Sequence, residues 1–204
     1  MRYDRRLIAR RSRRTTARSA TSIKATAAFA AALALVAGCG SDPDEYNDAD
    51  VAYATDVTAH HAQTLQVLDL SLGREQLDPE LGMLAEETRK RLFAEVEVTQ
   101  NWLKDNDQPV PKTALQHTHD DEQTYDTSIP GMLSAEQLHD LETAGDRAFH
   151  SVWLDALITQ EEGAVELAQA AVDDAQNSDL AKAAEADLAH HQDQLATLED
   201  LAGA

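Results

Sequence analysis

The sequence predicts an all-α protein. Residues 50–204 read as a four-helix bundle made of two pseudo-repeated helical hairpins with a long crossover. Three observations predict it. Apolar residues recur at helical spacing through four long stretches. Within each half, two such stretches are joined by only a few residues, which forces antiparallel neighbours. The halves are also related: ITQEEGAVELAQ at 158–169 lies under TAHHAQTLQVLD at 58–69 at an offset of 100, and Ser178-Asp179-Leu180 lies under Pro79-Glu80-Leu81 at an offset of 99. Two hairpins that each expose one apolar face bury it against each other.

The first helix is expected over about residues 50–72, capped by Asp48 or Asp50, with Val57, Leu65, Leu68 and Leu72 on its buried stripe and Gly73 as C-cap. Asp78-Pro79-Glu80 starts the second, with Asp as N-cap and Pro in the first turn. It runs to about Asn106, its inward line being Leu81, Leu84, Thr88, Leu92, Glu95, Thr99 and Trp102. Residues 107–133 hold Pro109, Pro111, Pro130 and Gly131 and lose all periodicity, which marks the crossover. Ser134 and Gln137 form a capping box for a short helix that breaks near Gly145. A long helix follows from about Asp146 to Ala175, with Phe149, Trp153, Leu157, Val165 and Ala168 inward. After the turn at Gln176-Asn177-Ser178-Asp179, the last helix, about 179–201, carries Leu188, Leu195 and Leu198.

Residues 1–38 stand outside this pattern. Nine basic residues precede or flank the apolar run ATAAFAAALALVAG at 25–38, the build of a secretory signal. The run falls short of the roughly 20 apolar residues a membrane span needs. Val36-Ala37-Gly38-Cys39 resembles a bacterial lipobox, so Cys39 is expected to carry lipid and anchor the protein to the cell membrane on its extracytoplasmic face. The paired arginines leave both Sec and twin-arginine export open. Residues 39–49, acidic and containing Pro43, read as a flexible tether.

Charge narrows the function. The chain has 17 basic and 37 acidic residues; residues 1–38 hold nine of the basic and one of the acidic, so eight basic face 36 acidic beyond them, a net charge of −28. Such a surface repels nucleic acid and anionic lipid and attracts cations. With one cysteine, no disulfide forms within the chain. No glycine-rich phosphate loop occurs, and Ser134 has the place of a helix cap, so no enzyme activity is assigned.

His61 lies on the apolar stripe of the first helix, with His60 beside it. A buried imidazole must find a partner, because an unpaired buried polar group costs about 1–3 kcal/mol. Glu95 and Glu161 fall on inward lines, His150 follows Phe149, and His191 lies one turn before Gln194 and Leu195. Imidazole and carboxylate facing each other in a bundle core are the donors of ferritin-like metal sites, and neutral imidazole suits zinc, copper, iron or nickel. The same groups also read as buried His–Glu pairs that fix helix register. The Glu-x-x-His step of di-iron proteins is absent: Glu95 is followed at +3 by Val98, and Glu161 by Ala164. With only Met1, Met83 and Met132, a methionine-rich copper(I) carrier is not expected.

NDADV at 47–51, His60-His61, LAEETRKRLFAEV at 84–96, Trp102-Leu103, IPGML at 129–133, AGDRAF at 144–149 and WLDALITQEEGAVELA at 153–168 follow in a familiar order. Together, over roughly residues 47–200, they resemble the domain of unknown function 305, a family of secreted bacterial proteins with a ferritin-like four-helix fold. The resemblance implies a His-His pair in each half, a Gln-x-x-Glu step on the helix after each pair, and copper or other metal handling in some members. His60-His61 and Glu95 match the first half. Leu92 replaces the first Gln, Gln160-Glu161 replaces the second His-His pair, and His191 and Gln194 stand where Gln and Glu are expected. His150 takes the place of an Asp.

The expectation is therefore an extracytoplasmic lipoprotein that binds a transition metal, copper or zinc, through His60, His61, Glu95, His150, Glu161 and His191. The alternative is a metal-free structural module that meets an envelope protein or a second copy of itself.

Overall fold

The computed structural model describes residues 45–74, 77–112 and 125–203. Helix α1 spans Asp48–Asp69, α2 Pro79–Asp105, α3 Ala135–Thr143, α4 Asp146–Asp174 and α5 Ser178–Gly203; no strand occurs among the described residues. The signal segment and Cys39 lie outside the described residues, and so do His117 and His119 of the crossover, which the sequence offers as a His-x-His metal pair or as two stray histidines of an acidic loop.

Each helix start has a chemical cause. Asn47, not Asp48 or Asp50, caps α1: its side chain accepts from the Ala49 and Asp50 amides, and Asp50 accepts from the Asn47 amide in return. Asp50 is fully buried and also accepts from the amides of Gln176 and Asn177, which fastens the start of α1 to the α4–α5 turn. Asp78 and Pro79 start α2, and Ser134 with Gln137 boxes α3, as the sequence predicts. The side chain of Asn177 accepts from the amides of Asp179 and Leu180 at the head of α5.

The end of α1 differs from expectation. The helix stops at Asp69, and the chain turns through residues 70–73, with Gly73 at φ +81°. Leu72 thereby leaves the buried stripe and is 64% exposed. On α2 the stripe is turned by about one residue from the predicted line: Leu81, Ala85, Thr88, Leu92, Val96, Thr99 and Leu103 are buried, while Leu84, Glu95 and Trp102 sit half-buried along its edge.

Helix α1 packs on α2 and α4, and α4 packs on α5. Trp153, wholly buried, donates its indole N–H to the Val67 carbonyl at 2.8 Å and locks α4 to α1. On the fourth side, α2 and α5 meet through polar side chains, Gln194 donating to Thr88 Oγ1 at 2.8 Å and Arg91 to Gln194 Oε1 at 3.2 Å. The returning crossover is held by Gln63, whose amide accepts from Leu133 N at 2.7 Å and donates to Leu133 O at 2.9 Å. Gly131, at φ +75°, rests directly on Gly163 of α4.

Candidate metal centre

The four long helices each send one inward donor to the middle of the bundle: His61 from α1, Glu95 from α2, Glu161 from α4 and His191 from α5. His61 Nε2 lies 3.3 Å from Glu95 Oε2, and His191 Nδ1 lies 2.6 Å from Glu161 Oε2. The His61 and His191 rings are neighbours, tilted 46° to each other with centroids 5.4 Å apart. His61, Glu95 and His191 each bring one donor atom into a group whose members all lie within 4.8 Å of one another. Both histidines and Glu161 are buried.

Protonation follows from these contacts. Glu161 Oε2 lies 2.6 Å from His191 Nδ1, and a proton on that nitrogen leaves the lone pair of the unpartnered Nε2 free. The nitrogens His60 Nδ1 and His61 Nδ1 lie 3.4 Å apart. Burial, then the nearby His61 and His191, drive the pKa of His60 well below that of an ordinary histidine, which keeps it neutral. Burial alone would raise the Glu95 carboxyl, but the His61 ring and the Arg91 guanidinium outweigh it and hold the group at about 2. Arg91 reaches both Glu95 oxygens through Nη1, at 2.7 and 2.9 Å. Glu95 therefore stays ionised. Asp187 of α5 accepts the Tyr53 hydroxyl at 2.7 Å, and burial followed by the charge of Glu95 pushes its carboxyl up.

The donors fit a transition-metal ion. Among the described residues, the Nε2 atoms of His60, His61 and His191 are buried without a hydrogen-bond partner. Three such orphans within one core are costly at about 1–3 kcal/mol each. His61 Nε2 and Glu95 Oε2 stand 3.3 Å apart, close to the roughly 3.3 Å that separates two N/O donors on one tetrahedral ion. Two imidazole nitrogens and an ionised carboxylate suit zinc and copper(II).

The sequence-predicted residues divide. His61, Glu95 and His191 come together, with Glu161 behind His191. His60 is buried next to His61, and its Nε2 lies beside Gly131, 3.0 Å from where a Cβ there would stand. His150 lies elsewhere. It lines a small cavity with Arg74, Leu77, Asp146 and Phe149, and its eleven-residue separation from Glu161 amounts to about 16 Å along α4. Sequence reasoning passed over Arg91, Gln63 and the Tyr53–Asp187 pair. Arg91 carries a readable signal, four residues before Glu95 on one helix.

Comparison with known proteins agrees on fold. The family model described as domain of unknown function (DUF305) matches residues 50–202. No curated protein matches the sequence. A DUF305 fragment from Deinococcus radiodurans superposes with a TM-score of 0.65 at 18% identity, covering 78% of this chain and 97% of its own. A DUF305 protein from Streptomyces coelicolor, described as secreted, gives 0.62 at 19% identity and covers 75% and 89%. The protein CopM in its Cu(II)-bound form gives 0.60 at 19% identity and covers 76% and 95%. At these identities the likeness shows the fold.

Proposed function

The chain belongs to the DUF305 family, and we propose that it binds one transition-metal ion, copper or zinc, through His61, Glu95 and His191 in the bundle core. The observation that carries this reading is the convergence of two orphaned imidazole nitrogens on an ionised carboxylate. Copper gains support from CopM, a structural neighbour seen with Cu(I) and with Cu(II). Copper(II) and zinc suit these donors better than copper(I), because no methionine joins the group among the described residues: Met83 is 66% exposed and Met132 packs against the apolar cluster that holds Tyr53 and Ile129. Glu161 fixes the tautomer and orientation of His191, and Arg91 holds Glu95. Three protein donors leave a position for water or an incoming ligand, which suits a site that takes up and hands on its ion. The role is binding, not catalysis.

The same reading places the bundle outside the cytoplasm, held to the membrane by lipid on Cys39. The small residues before Cys39, the basic segment ahead of them and a structural neighbour described as secreted support it. Among the described residues no helix is long and apolar enough to cross a membrane.

Calorimetry on the untagged full chain in detergent tests the metal reading, with copper(II) and zinc(II) titrated into the native protein and His61→Ala. Stoichiometric binding at micromolar affinity or tighter, lost in the variant, is expected. Weak uptake of several ions, equal in both, would leave only an acidic surface and favour the second reading, a metal-free envelope module. The close Glu161–His191 pair is what that second reading rests on, since it can serve helix register alone.

A further inference from the structure

The centre is closed on one side and open on another. Toward the crossover, Gly131 packs so tightly on Gly163 that a Cβ on Gly163 would lie 2.4 Å from the Gly131 backbone. Between α2 and α5 the packing is looser, and a cleft of about 260 Å³ opens there. Its walls include Tyr53, Val98, Leu180 and Ala183, and its charged groups are Arg91, Glu95 and Asp187. Of the three clustered donors, Glu95 alone lines this cleft.

The charges in the cleft are unevenly matched. Arg91 is spent on Glu95 and Gln194. Asp187 is held by the hydroxyl of Tyr53, a residue only 4% exposed, and pairs with no lysine or arginine among the described residues. Asp187 also lies four residues before His191 on α5, hence on the same face and one turn away. A carboxylate fixed in a narrow, largely apolar cleft focuses field on a passing cation.

We infer that this cleft is the route by which a metal cation reaches the centre, and that Asp187, positioned by Tyr53, is the carboxylate that draws the cation in and passes it to Glu95. The inference rests on the metal reading above and adds the path and the residue that guards it. Asp187 positions and attracts; it does not hold the bound ion.

Stopped-flow mixing of copper(II) with the full chain, read by quenching of tryptophan fluorescence, tests it. Asp187→Asn keeps an acceptor for Tyr53 but removes the charge. Its association rate at low salt is expected to fall about tenfold, the lower end of what focused fields supply. Its dissociation rate should stay within about twofold of native, so that affinity weakens through association alone. Asp187→Glu should restore most of the rate. Ala183→Trp, which narrows the cleft without touching a charge, should slow association and dissociation together and tests the route if the Asn variant does not fold; unchanged rates overturn it. Unchanged association in Asp187→Asn overturns the inference. So does an affinity loss carried by faster dissociation, because Asp187 would then be a ligand. A native chain that takes up no copper overturns the metal reading itself, and that appears in the native trace before any variant is compared.

Discussion

His191 offers Nε2 to the centre because Glu161 claims its other ring nitrogen at 2.6 Å. Glu161→Gln keeps an acceptor but loses the charge that makes the imidazole a better donor. Copper affinity measured by calorimetry should weaken about 10–100-fold, the usual cost of losing such a partner. Glu95 carries a pH signature. Its folded pKa of about 2 lies below its ordinary value of 4.5, so the native state binds fewer protons there than the unfolded chain. The stabilisation is fully present above about pH 4.5 and is lost as pH falls toward 2. Urea midpoints across that window should fall more steeply with acid in the native chain than in Glu95→Gln; equal slopes would remove the argument. At this scale the sequence was partly legible. The apolar stripe put His61 inward, and the spacing put Glu95 on a facing line. Arg91, Gln63 and Asp187 were not found, because which neighbour a long polar side chain reaches depends on helix separation and rotation, which periodicity does not encode. His150 shares the inward side of α4 with Glu161, yet eleven residues of helix separate them, and a common face does not make a common site.

Among the elements, the contact between α4 and the returning crossover is the most sensitive. Gly163 lets the Pro130-Gly131 backbone lie against α4, with Cβ positions 2.4 Å from the Gly131 N and Cα and the Pro130 carbonyl carbon. These are backbone atoms and cannot swing aside as a side-chain tip would. Gly163→Ala should therefore destabilise the fold by about 1–3 kcal/mol, the cost of overpacking, although alanine is the better helix former. A lower urea midpoint would confirm it; a gain in stability would show that the crossover yields freely. The effect should also loosen the Gln63–Leu133 clamp, which lies just beyond. The elements themselves were legible because caps and turns are local chemistry: Asp78-Pro79 and the Ser134–Gln137 box open α2 and α3 as read. The end of α1 was not. Spacing alone extends the stripe to Leu72, but the helix unwinds after Asp69 so that Arg74 can reach Asp146 and the Ala144 carbonyl and stack on Phe149. Those partners are about seventy residues away in sequence.

Across the whole molecule, the two halves use the same positions in opposite senses. In the first hairpin the imidazole is on α1 and the carboxylate on α2; in the second the carboxylate is on α4 and the imidazole on α5. The repeat made the bundle legible from sequence, and the exchange of His-His for Gln160-Glu161 made its second half look depleted, because His191 restores the imidazole from the partner helix. His61 and Glu95 belong to the first hairpin and His191 to the second, so an ion bound by all three would join both hairpins. Ligand that binds only the native state adds about 2.7 kcal/mol of stability at 100 times its dissociation constant. For a chain of this size each kcal/mol raises the midpoint by about 2–4 °C, so the shift should be roughly 5–11 °C. Calorimetric scans with copper(II) at that excess should show one transition displaced upward, reversed by a chelator. His61→Ala should unfold at the same temperature with and without copper. The variant also separates binding from screening: the chain beyond residue 38 carries a net charge of −28, and any divalent cation relieves some of that repulsion. Screening would lift the native protein and His61→Ala alike, whereas an ion clasped between the hairpins lifts only the native chain.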